Sequence, residues 1–416
     1  MGAFPYAMQF FCCTDWNQSA EEVQRAAQFF VYQDAVSVGE VQGETGIPGL
    51  KLDFNNGLRL QVPAGNWHVT IGDHDSGAVF YDRDVSEALV LSMEKYYVHW
   101  QVEIYRDGEP VFAHVFDPAG QKIRLVFNSS LLGDMQSFLP YVPFVREKFQ
   151  ADVYCTIDGS MKEVFRRLLP EVRLREAAEE GTYATFYFNA SIDFPGWMPM
   201  DGRLVPMIHT GRMILGLPSP PPKLRWVPGP RVIKEPYVCI GVQASSVEKG
   251  WLYPGGWEEV TAYLKEQGYR VLCIDRDRRL QEGEFVLEMP EGAEDFTGNR
   301  PLLERADMLH YAEFFIGLTS GLSWLAWTAD CPVVMVAGLT AYWYEFPTPY
   351  RVYDRLACGG CYNDIRVYWK ENPCSRQTPG TPNVLQCAKR ITPRMVIQAI
   401  DRLIADKRAG KLPAYT

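Results

Sequence analysis

From Lys51 to about Val115 the chain alternates apolar and polar positions with a period of two. Leu52 and Phe54 alternate with polar neighbours, Asn56-Gly57 marks a tight turn, and Leu58, Leu60 and Val62 lead back. Trp67, Val69 and Ile71 share one face of a further strand. Val98, Trp100, Val102 and Ile104 then run into Asp107-Gly108, and Val111, Ala113 and Val115 follow. Short strands separated by turn signals predict an antiparallel barrel or sandwich. Before it, Val23, Ala26, Ala27, Phe30 and Val31 lie at helical spacing and predict one helix over 20–33.

After Pro118 the grammar changes. Residues 122–127 read as a short buried strand, followed by a loop and an apolar helical stretch to Lys148. Residues 152–157 read as a strand, 161–169 as a helix and 172–174 as a strand, which is the βαβ order of a parallel sheet. Pro218 to Pro222 and Pro228 to Pro230 form a Pro-rich connector. A second series follows, with strands at 237–242, 270–274, 285–288, 314–318 and 332–336. Helices are expected at 257–267, 302–312 and 322–329, and a last one at 393–408. The expectation is an α/β chain of the GT-B kind. A β-rich domain over 1–118 precedes one Rossmann-like half over 119–230 and another over 231–416. The second half includes a cysteine-bearing finger at 350–390 and the closing helix.

Hydrophobic residues make up 47% of the 416 residues and charged residues 22%, which suits packed domains. A net charge of −10 argues against nucleic acid as the main partner. The longest apolar runs fall far short of the ~20 residues of a membrane span. The N-terminus shows no basic region ahead of its apolar residues, so a cytoplasmic protein is expected.

Three loops carry candidate chemistry. The first, Asn128-Ser129-Ser130-Leu131-Leu132-Gly133-Asp134, follows the first parallel strand, where open α/β sheets bind ligands. Asp134 suits a general base that takes a proton from an acceptor hydroxyl, or else a helix cap. The second holds Gln243, Ser245, Ser246 and Lys249, short donors and a cation able to hold a pyrophosphate or simply a solvated loop. It is not a Walker loop. The third, Thr319-Ser320-Gly321, starts a helix, and is either an anion site at the helix terminus or an ordinary N-cap.

The combination of these loops with Cys331-Pro332-Val333-Val334, carried by residues 122–148, 237–260 and 314–340, resembles the lipopolysaccharide heptosyltransferases. Thr319 stands where that family has an acidic residue and Trp324 where it has a histidine. Those departures, the β-rich first domain and the cysteines make the whole chain look like a bacterial autotransporter heptosyltransferase. The resemblance implies an ADP-heptose donor, an autotransporter adhesin whose serines are the acceptors, a dodecameric homo-oligomer and an iron (Fe3+) held by four cysteines. It also implies Asp134 as the catalytic aspartate, Lys249 as the phosphate-binding lysine and Thr319-Ser320-Gly321 as the nucleotide-phosphate turn. Arg305 matches a donor-contacting arginine, or is a solvated helix residue. A transferase with a glycan or lipid-linked acceptor, and a non-catalytic nucleotide-sugar-binding assembly protein, are the alternatives.

Of ten cysteines, Cys12, Cys13, Cys155, Cys239, Cys273 and Cys331 are scattered, and the last four of these lie in apolar runs as small hydrophobes. Cys358, Cys361, Cys374 and Cys387 crowd into one polar stretch. One Cys-x-x-Cys pair turned by Gly359-Gly360, with two further single ligands, suits a tetrahedral zinc or a single iron, and spacing does not choose between them. The stretch shows no core of its own to bury four thiols, which favours a metal. The six histidines form no spaced metal motif.

Overall fold

Antiparallel pairing dominates the first hundred residues of the computed structural model, which describes residues 10–13, 38–127, 131–157, 159–189, 195–367, 374 and 381–412. The helix expected over 20–33 lies outside these residues, as do Asn128, Ser129 and Ser130. Strands β1 (Phe10–Cys13), β2 (Lys51–Asp53) and β3 (Arg59–Val62) belong to one four-stranded sheet. Strands β4 (Trp67–Asp73) and β5 (Val79–Val85) belong to a second. Next, β6 (Ala88–Ser92) joins the first, while β7 (Trp100–Arg106) and β8 (Glu109–Val115) complete the second. The sheet orders are β1-β6-β3-β2 and β5-β4-β7-β8. The period of two has its cause here: Trp67, Val69, Ile71, Trp100, Val102 and Ile104 share one buried face, while intervening residues meet solvent or its margin.

Two glycine turns differ in kind. Asp107-Gly108, both at positive φ, joins Arg106 to its partner Glu109 as a two-residue hairpin. Asn56-Gly57 instead lies in a wider connection, because pairing ends at Asp53 opposite Arg59. Gly57 is fixed by crowding. A Cβ there would stand 2.2 Å from the Glu94 carbonyl oxygen.

That wider connection fastens the N-terminal region to the next sheet. Phe54 bridges Ala184 in parallel, with its N–H donating to Tyr183 O at 3.1 Å and its carbonyl accepting Thr185 N–H at 3.0 Å. Asn55 adds side-chain bonds to Thr182 O (2.9 Å) and Thr185 Oγ1 (2.9 Å). One hydrophobic core therefore runs from Leu52 and Trp100 into Phe186 and Phe188.

The sheet so extended contains β9 (Lys122–Phe127), followed by α1 (Leu132–Phe138) and α2 (Tyr141–Phe149). Then come β10 (Asp152–Thr156), α3 (Lys162–Leu168), β11 (Arg173–Leu174) and β12 (Thr182–Phe188). All four strands are parallel in the order β11-β10-β9-β12, and α4 (Met207–Ile214) follows. The Pro-rich connector is pinned rather than loose. Lys223 pairs with Asp330, Trp226 Nε1 and Gly229 N–H donate to Asp307 at 3.1 and 2.9 Å, and Arg167 donates to Val227 O at 2.9 Å.

Next come β13 (Tyr237–Gly241), α5 (Gly256–Glu266), β14 (Arg270–Cys273), β15 (Arg279–Glu282), β16 (Phe285–Glu288) and β17 (Glu294–Asp295). The chain continues through α6 (Leu302–Tyr311), β18 (Phe315–Leu318), α7 (Gly321–Thr328), β19 (Val333–Val336) and β20 (Arg351–Val352). It ends in α8 (Gln386–Lys389) and α9 (Pro393–Arg408). Six parallel strands run in the order β17-β14-β13-β18-β19-β20. The segment 285–288, expected in this sheet, pairs instead with β15 as an antiparallel hairpin turned at Gly283 (φ +58°). Only Leu287 of β16 is fully buried, so the segment lacks the two apolar faces a central parallel strand needs, and Glu294–Asp295 takes the sheet position. Helix α9, with Thr392 capping Met395 N–H, packs Val396, Ile400 and Leu403 into the core of this same half. No helix among the described residues is long and apolar enough to cross a membrane.

Near the Phe54 junction, Glu94 is 9% exposed and one carboxylate oxygen has no hydrogen-bond partner. Burial pushes its pKa up to about 7. The folded form therefore holds a proton that the unfolded chain releases near 4.5, so stability is greatest below about 4.5 on this account and falls as pH rises to 7. Glu94→Gln should remove that slope and stabilise the protein at pH 8 by on the order of 3 kcal/mol. Urea midpoints of both proteins at pH 5 and pH 8 check it, and parallel pH dependence would refute it.

Candidate active site in the crevice between the halves

Each parallel sheet has a point where strand order reverses, and ligands of open α/β sheets settle beyond the strands' carboxyl ends there. In the first half that point lies between β9 and β12, and the chain leaving β9 leads to Asp134. In the second it lies between β13 and β18. The chain leaving β13 leads to Lys249, and the chain leaving β18 to Thr319-Ser320-Gly321. The topology thus sends all three candidate loops to sheet ends of one kind.

Close helix contact joins the halves at this place. The N-terminal turns of α1 and α7 cross with glycine on each side. A Cβ on Gly133 would meet Trp324 Cδ1 at 2.8 Å, and one on Gly321 would meet Leu132 Cβ at 2.7 Å. Gln136 Nε2 donates across the crossing to Gly321 O at 3.3 Å. Trp324 is 2% exposed and packs edge-on against Phe346 and Trp327, so it fills the floor of the crevice.

Asp134 lies in the first turn of α1, and the N-cap position belongs to Leu131, which makes no side-chain cap bond. Its charge acts on Lys249, Tyr344 and Tyr362, which brings the carboxylate, the ammonium and two phenols into one electrostatic neighbourhood. Lys249 is half-buried and its Nζ donates to Ser245 Oγ at 3.1 Å. Burial lowers its pKa, opposed by Glu345, Asp134 and Glu248. A cation held in that way gains most from an anion placed beside it. Ser246 starts the short turn 247–249 without a side-chain cap bond. Gln243 turns away, its Nε2 donating to Asp277 O at 2.8 Å.

Thr319 and Ser320 lie at the head of α7, with Ser320 at the N-cap position but making no side-chain cap bond. Both hydroxyl oxygens are buried and lack hydrogen-bond partners. An ordinary N-cap would spend one of them on the helix's own N–H groups. Unpaired buried hydroxyls cost about 1–3 kcal/mol each, and an oxyanion supplied from outside would recover that cost.

Arg305 is not the solvated helix residue that one expectation made it. It is 3% exposed and its guanidinium is spent on carbonyls of Ile274, Asp275 (2.9 Å), Phe296 (3.4 Å) and Gly298 (2.5 Å). It is a staple for the chains leaving β14 and β17, because α6 presents it inward beneath those loops rather than toward solvent. Burial lowers its pKa, and the nearby Asp275 charge opposes this.

Sequence reasoning missed three residues here. Asp275, 2% exposed, accepts Val242 and Gln243 N–H at 2.7 and 3.2 Å and so shapes the start of the Lys249 loop; burial raises its pKa to about 6. Its signal was an acid directly after the apolar run 271–274. Glu345 is held by Thr340 Oγ1 (2.7 Å) and Arg351 (2.6 Å) and faces Lys249 electrostatically. Tyr362 comes from the cysteine segment, and nothing in its spacing points to Asp134.

The tetracysteine finger is not found as an assembled metal centre. Among the described residues no group of three or more His, Cys, Asp or Glu side chains is arranged to hold an ion. Parts of the excursion, 368–373 and 375–380, lie outside the described residues. The sulfurs are nonetheless neighbours: burial first, then Cys358, Cys361 and Cys374, push the Cys387 thiol up to about 12. The stretch also has the core it was expected to lack. Cys361, Cys374 and Cys387 are buried, and Cys374 clusters with Val384, Leu385 and Ala388 against Leu252 and Phe285 of the second half.

Comparison with known proteins agrees with this architecture. Residues 46–108 match the model of the glycosyltransferase TibC N-terminal domain, and residues 222–351 match glycosyltransferase family 9 (heptosyltransferase). The autotransporter heptosyltransferase Aah of Escherichia coli is 38% identical over 374 residues, covering 85% of this chain and 93% of Aah. BimC of Burkholderia thailandensis, described as an inactive autotransporter heptosyltransferase, is 28% identical over 366 residues, covering 86% of each. The crystal structure of TibC from enterotoxigenic E. coli, an iron-containing dodecameric glycosyltransferase, superposes with a TM-score of 0.83 at 32% identity, covering 88% of this chain and 99% of TibC. TibC has also been solved with ADP-D-beta-D-heptose, and that structure superposes at 0.81. Two Rossmann-like halves of GT-B type behind a sheet-rich N-terminal region, matched along almost the whole chain, place this protein in the autotransporter heptosyltransferase family.

Proposed function

We propose that the chain transfers heptose from ADP-heptose to serine hydroxyls of an autotransporter adhesin in the cytoplasm, with inversion at the anomeric carbon. The observation that carries this reading is that the Asp134 charge acts on Lys249 across the crevice, where two buried hydroxyls stand without partners. Asp134 enters from the first half, Lys249 from the second, and the unpartnered hydroxyls of Thr319 and Ser320 head α7 beside them. Asp134 takes the serine proton as the oxygen attacks, and one direct displacement inverts the centre. Lys249, aligned by Ser245 and Glu345, meets the charge on departing ADP. The Thr319-Ser320-Gly321 head of α7 adds N–H donors and the positive end of the helix dipole. The donor bound by TibC and the acceptor class in the name of Aah support this choice of substrates.

The same relatives support an iron site and a dodecameric ring. Cys358, Cys361, Cys374 and Cys387 suit the ion in kind, being four soft donors brought together by one excursion. Bound iron would cross-link that excursion, and no step of transfer depends on it.

Incubation with ADP-heptose and an autotransporter passenger, read by intact mass, tests the proposal. Gain of one heptose mass or multiples on the protein supports it. Turnover only on a glycan acceptor replaces the acceptor assignment, and donor binding without turnover would align the chain with BimC. Asp134→Asn should lower transfer by about 10²–10⁴-fold with donor affinity intact, because the amide is nearly isosteric but accepts no proton. Near-normal turnover would leave Asp134 no role as base. Lys249→Ala should weaken donor binding and rate together, and unchanged donor affinity by calorimetry would misplace the pyrophosphate. Cys374→Ser should abolish iron binding and loosen the 350–390 excursion while both sheets persist, since a closed thiolate site contributes folding energy. Elemental analysis with circular dichroism reads this, and Cys374→Ser protein that keeps the wild-type iron content would overturn the site.

A further inference from the structure

Two chains leave neighbouring strands of the second half at their carboxyl ends, one after β13 and one after β14, and a buried carboxylate ties them together. Asp275 Oδ2 accepts Val242 N–H at 2.7 Å, and Oδ1 accepts Gln243 N–H at 3.2 Å. Gln243 returns the tie, its Nε2 donating to Asp277 O at 2.8 Å. Two residues further on, Ser245 Oγ accepts Lys249 Nζ at 3.1 Å. The stem that Asp275 holds thus leads straight into the pair that presents the ammonium.

Each partner of this carboxylate among the described residues is a donor. Besides the two N–H groups, the Cys273 thiol donates to Oδ2 at 3.5 Å, and burial keeps that thiol neutral by pushing its pKa up. From α6, Arg305 donates through Nη2 to the Asp275 carbonyl at 2.9 Å, which sets a cation beside the acid. The remaining charges of the surrounding elements are Glu248 and Lys249 in the loop, Arg276 and Asp277 next in the chain, and two paired acids. Asp295 on β17 is held by Arg278 at 2.9 Å, and Glu304 on α6 by Arg300 at 2.9 Å. Asp275 is 2% exposed, so little water can replace a lost bond. A proton on either oxygen would set O–H against N–H with no acceptor to receive it. The clamp holds only as a carboxylate.

We propose that Asp275 is a positioning residue for the donor: its carboxylate clamps the stem of the Lys249 loop to the chain leaving β14, and so fixes where Ser245 and Lys249 meet the pyrophosphate of ADP-heptose. This rests on Lys249 being the pyrophosphate-binding cation. Asp275 acts through the loop, since both its oxygens are taken up by main chain. Donor affinity is thereby tied to pH. Burial raises the pKa of Asp275 to about 6, against the pull of its donors and of Arg305. Above that value the acid is charged and the clamp is closed. At pH 5 roughly one molecule in ten keeps it closed, and apparent affinity falls with that fraction, about tenfold.

The test measures ADP-heptose affinity by calorimetry at pH 8 and pH 5 for full-length wild type, Asp275→Asn and Lys249→Ala, with circular dichroism on each. The pyrophosphate of ADP-heptose is esterified at both ends and keeps one charge across this range. Wild type should bind about tenfold more weakly at pH 5. Asp275→Asn should bind at least about tenfold more weakly than wild type at pH 8 and lose nothing further at pH 5, because the amide turns an N–H toward an N–H. Lys249→Ala should bind weakly at pH 8 and show little pH dependence, since the position of the loop then matters little. A level wild-type affinity between the two pH values overturns the inference, and a weakened Lys249→Ala beside it leaves Lys249 in place. Asp275→Asn that binds as wild type at pH 8, or binds weakly yet keeps the wild-type slope, also overturns it, since the residue would then serve the fold alone. If Asp275→Asn loses its folded spectrum, the slope in Lys249→Ala decides: a slope lost with Lys249 supports the inference and a slope kept overturns it. Unchanged donor affinity in Lys249→Ala overturns the placement of the pyrophosphate, and the inference with it.

Discussion

Everything in the crevice depends on how closely α1 and α7 cross. Two glycines at the crossing allow Leu132 and Trp324 to lie against opposing backbone, so the head of a first-half helix stands beside the head of a second-half helix. Without that approach Asp134 and Lys249 would face each other across a wider, wetter gap, where their fields would be screened. Trp324 has a second consequence. Buried at 2% exposure and packed against Phe346 and Trp327, it leaves the crevice floor apolar.

The halves are joined at two further places, and the three together restrict how the crevice can open. The Pro-rich connector is held by Asp307 and Asp330 on the second half and by Arg167 on the first. On the opposite approach, the strap of Cys361–Asn363 reaches Arg203. The N-terminal sheets add rigidity, because Phe54 extends the β12 edge and removes a free sheet margin that would invite non-native pairing.

The buried polar groups near the crevice include some that are satisfied and some that are not. Arg305 and Asp275 are saturated by backbone partners and shape loops. The Thr319 and Ser320 hydroxyls are not saturated, at the head of α7. A fold tolerates such a deficit where a ligand's oxygens make it good.

Local patterning was enough to find the elements themselves. Alternation located the strands that bury Trp67 and Trp100, helical spacing located Pro393–Arg408 to the residue, and a strand-loop-helix order located the loops of Asp134, Lys249 and Thr319. These signals are local because side-chain direction repeats every two or 3.6 residues. What the sequence could not determine was which side of an element a long polar chain would face and which distant loop it would meet. Arg305 has the look of a surface helix residue and turns inward, because four carbonyls, two after β14 and two after β17, converge on it. The segment 285–288 has a strand's composition but lacks the second buried face that the sheet demands. The cysteine stretch reads as polar, yet Leu252 and Phe285 cover it. Tyr362 comes within range of the Asp134 charge only when two segments more than two hundred residues apart pack together, since that approach is set by long-range packing and leaves no trace in local periodicity.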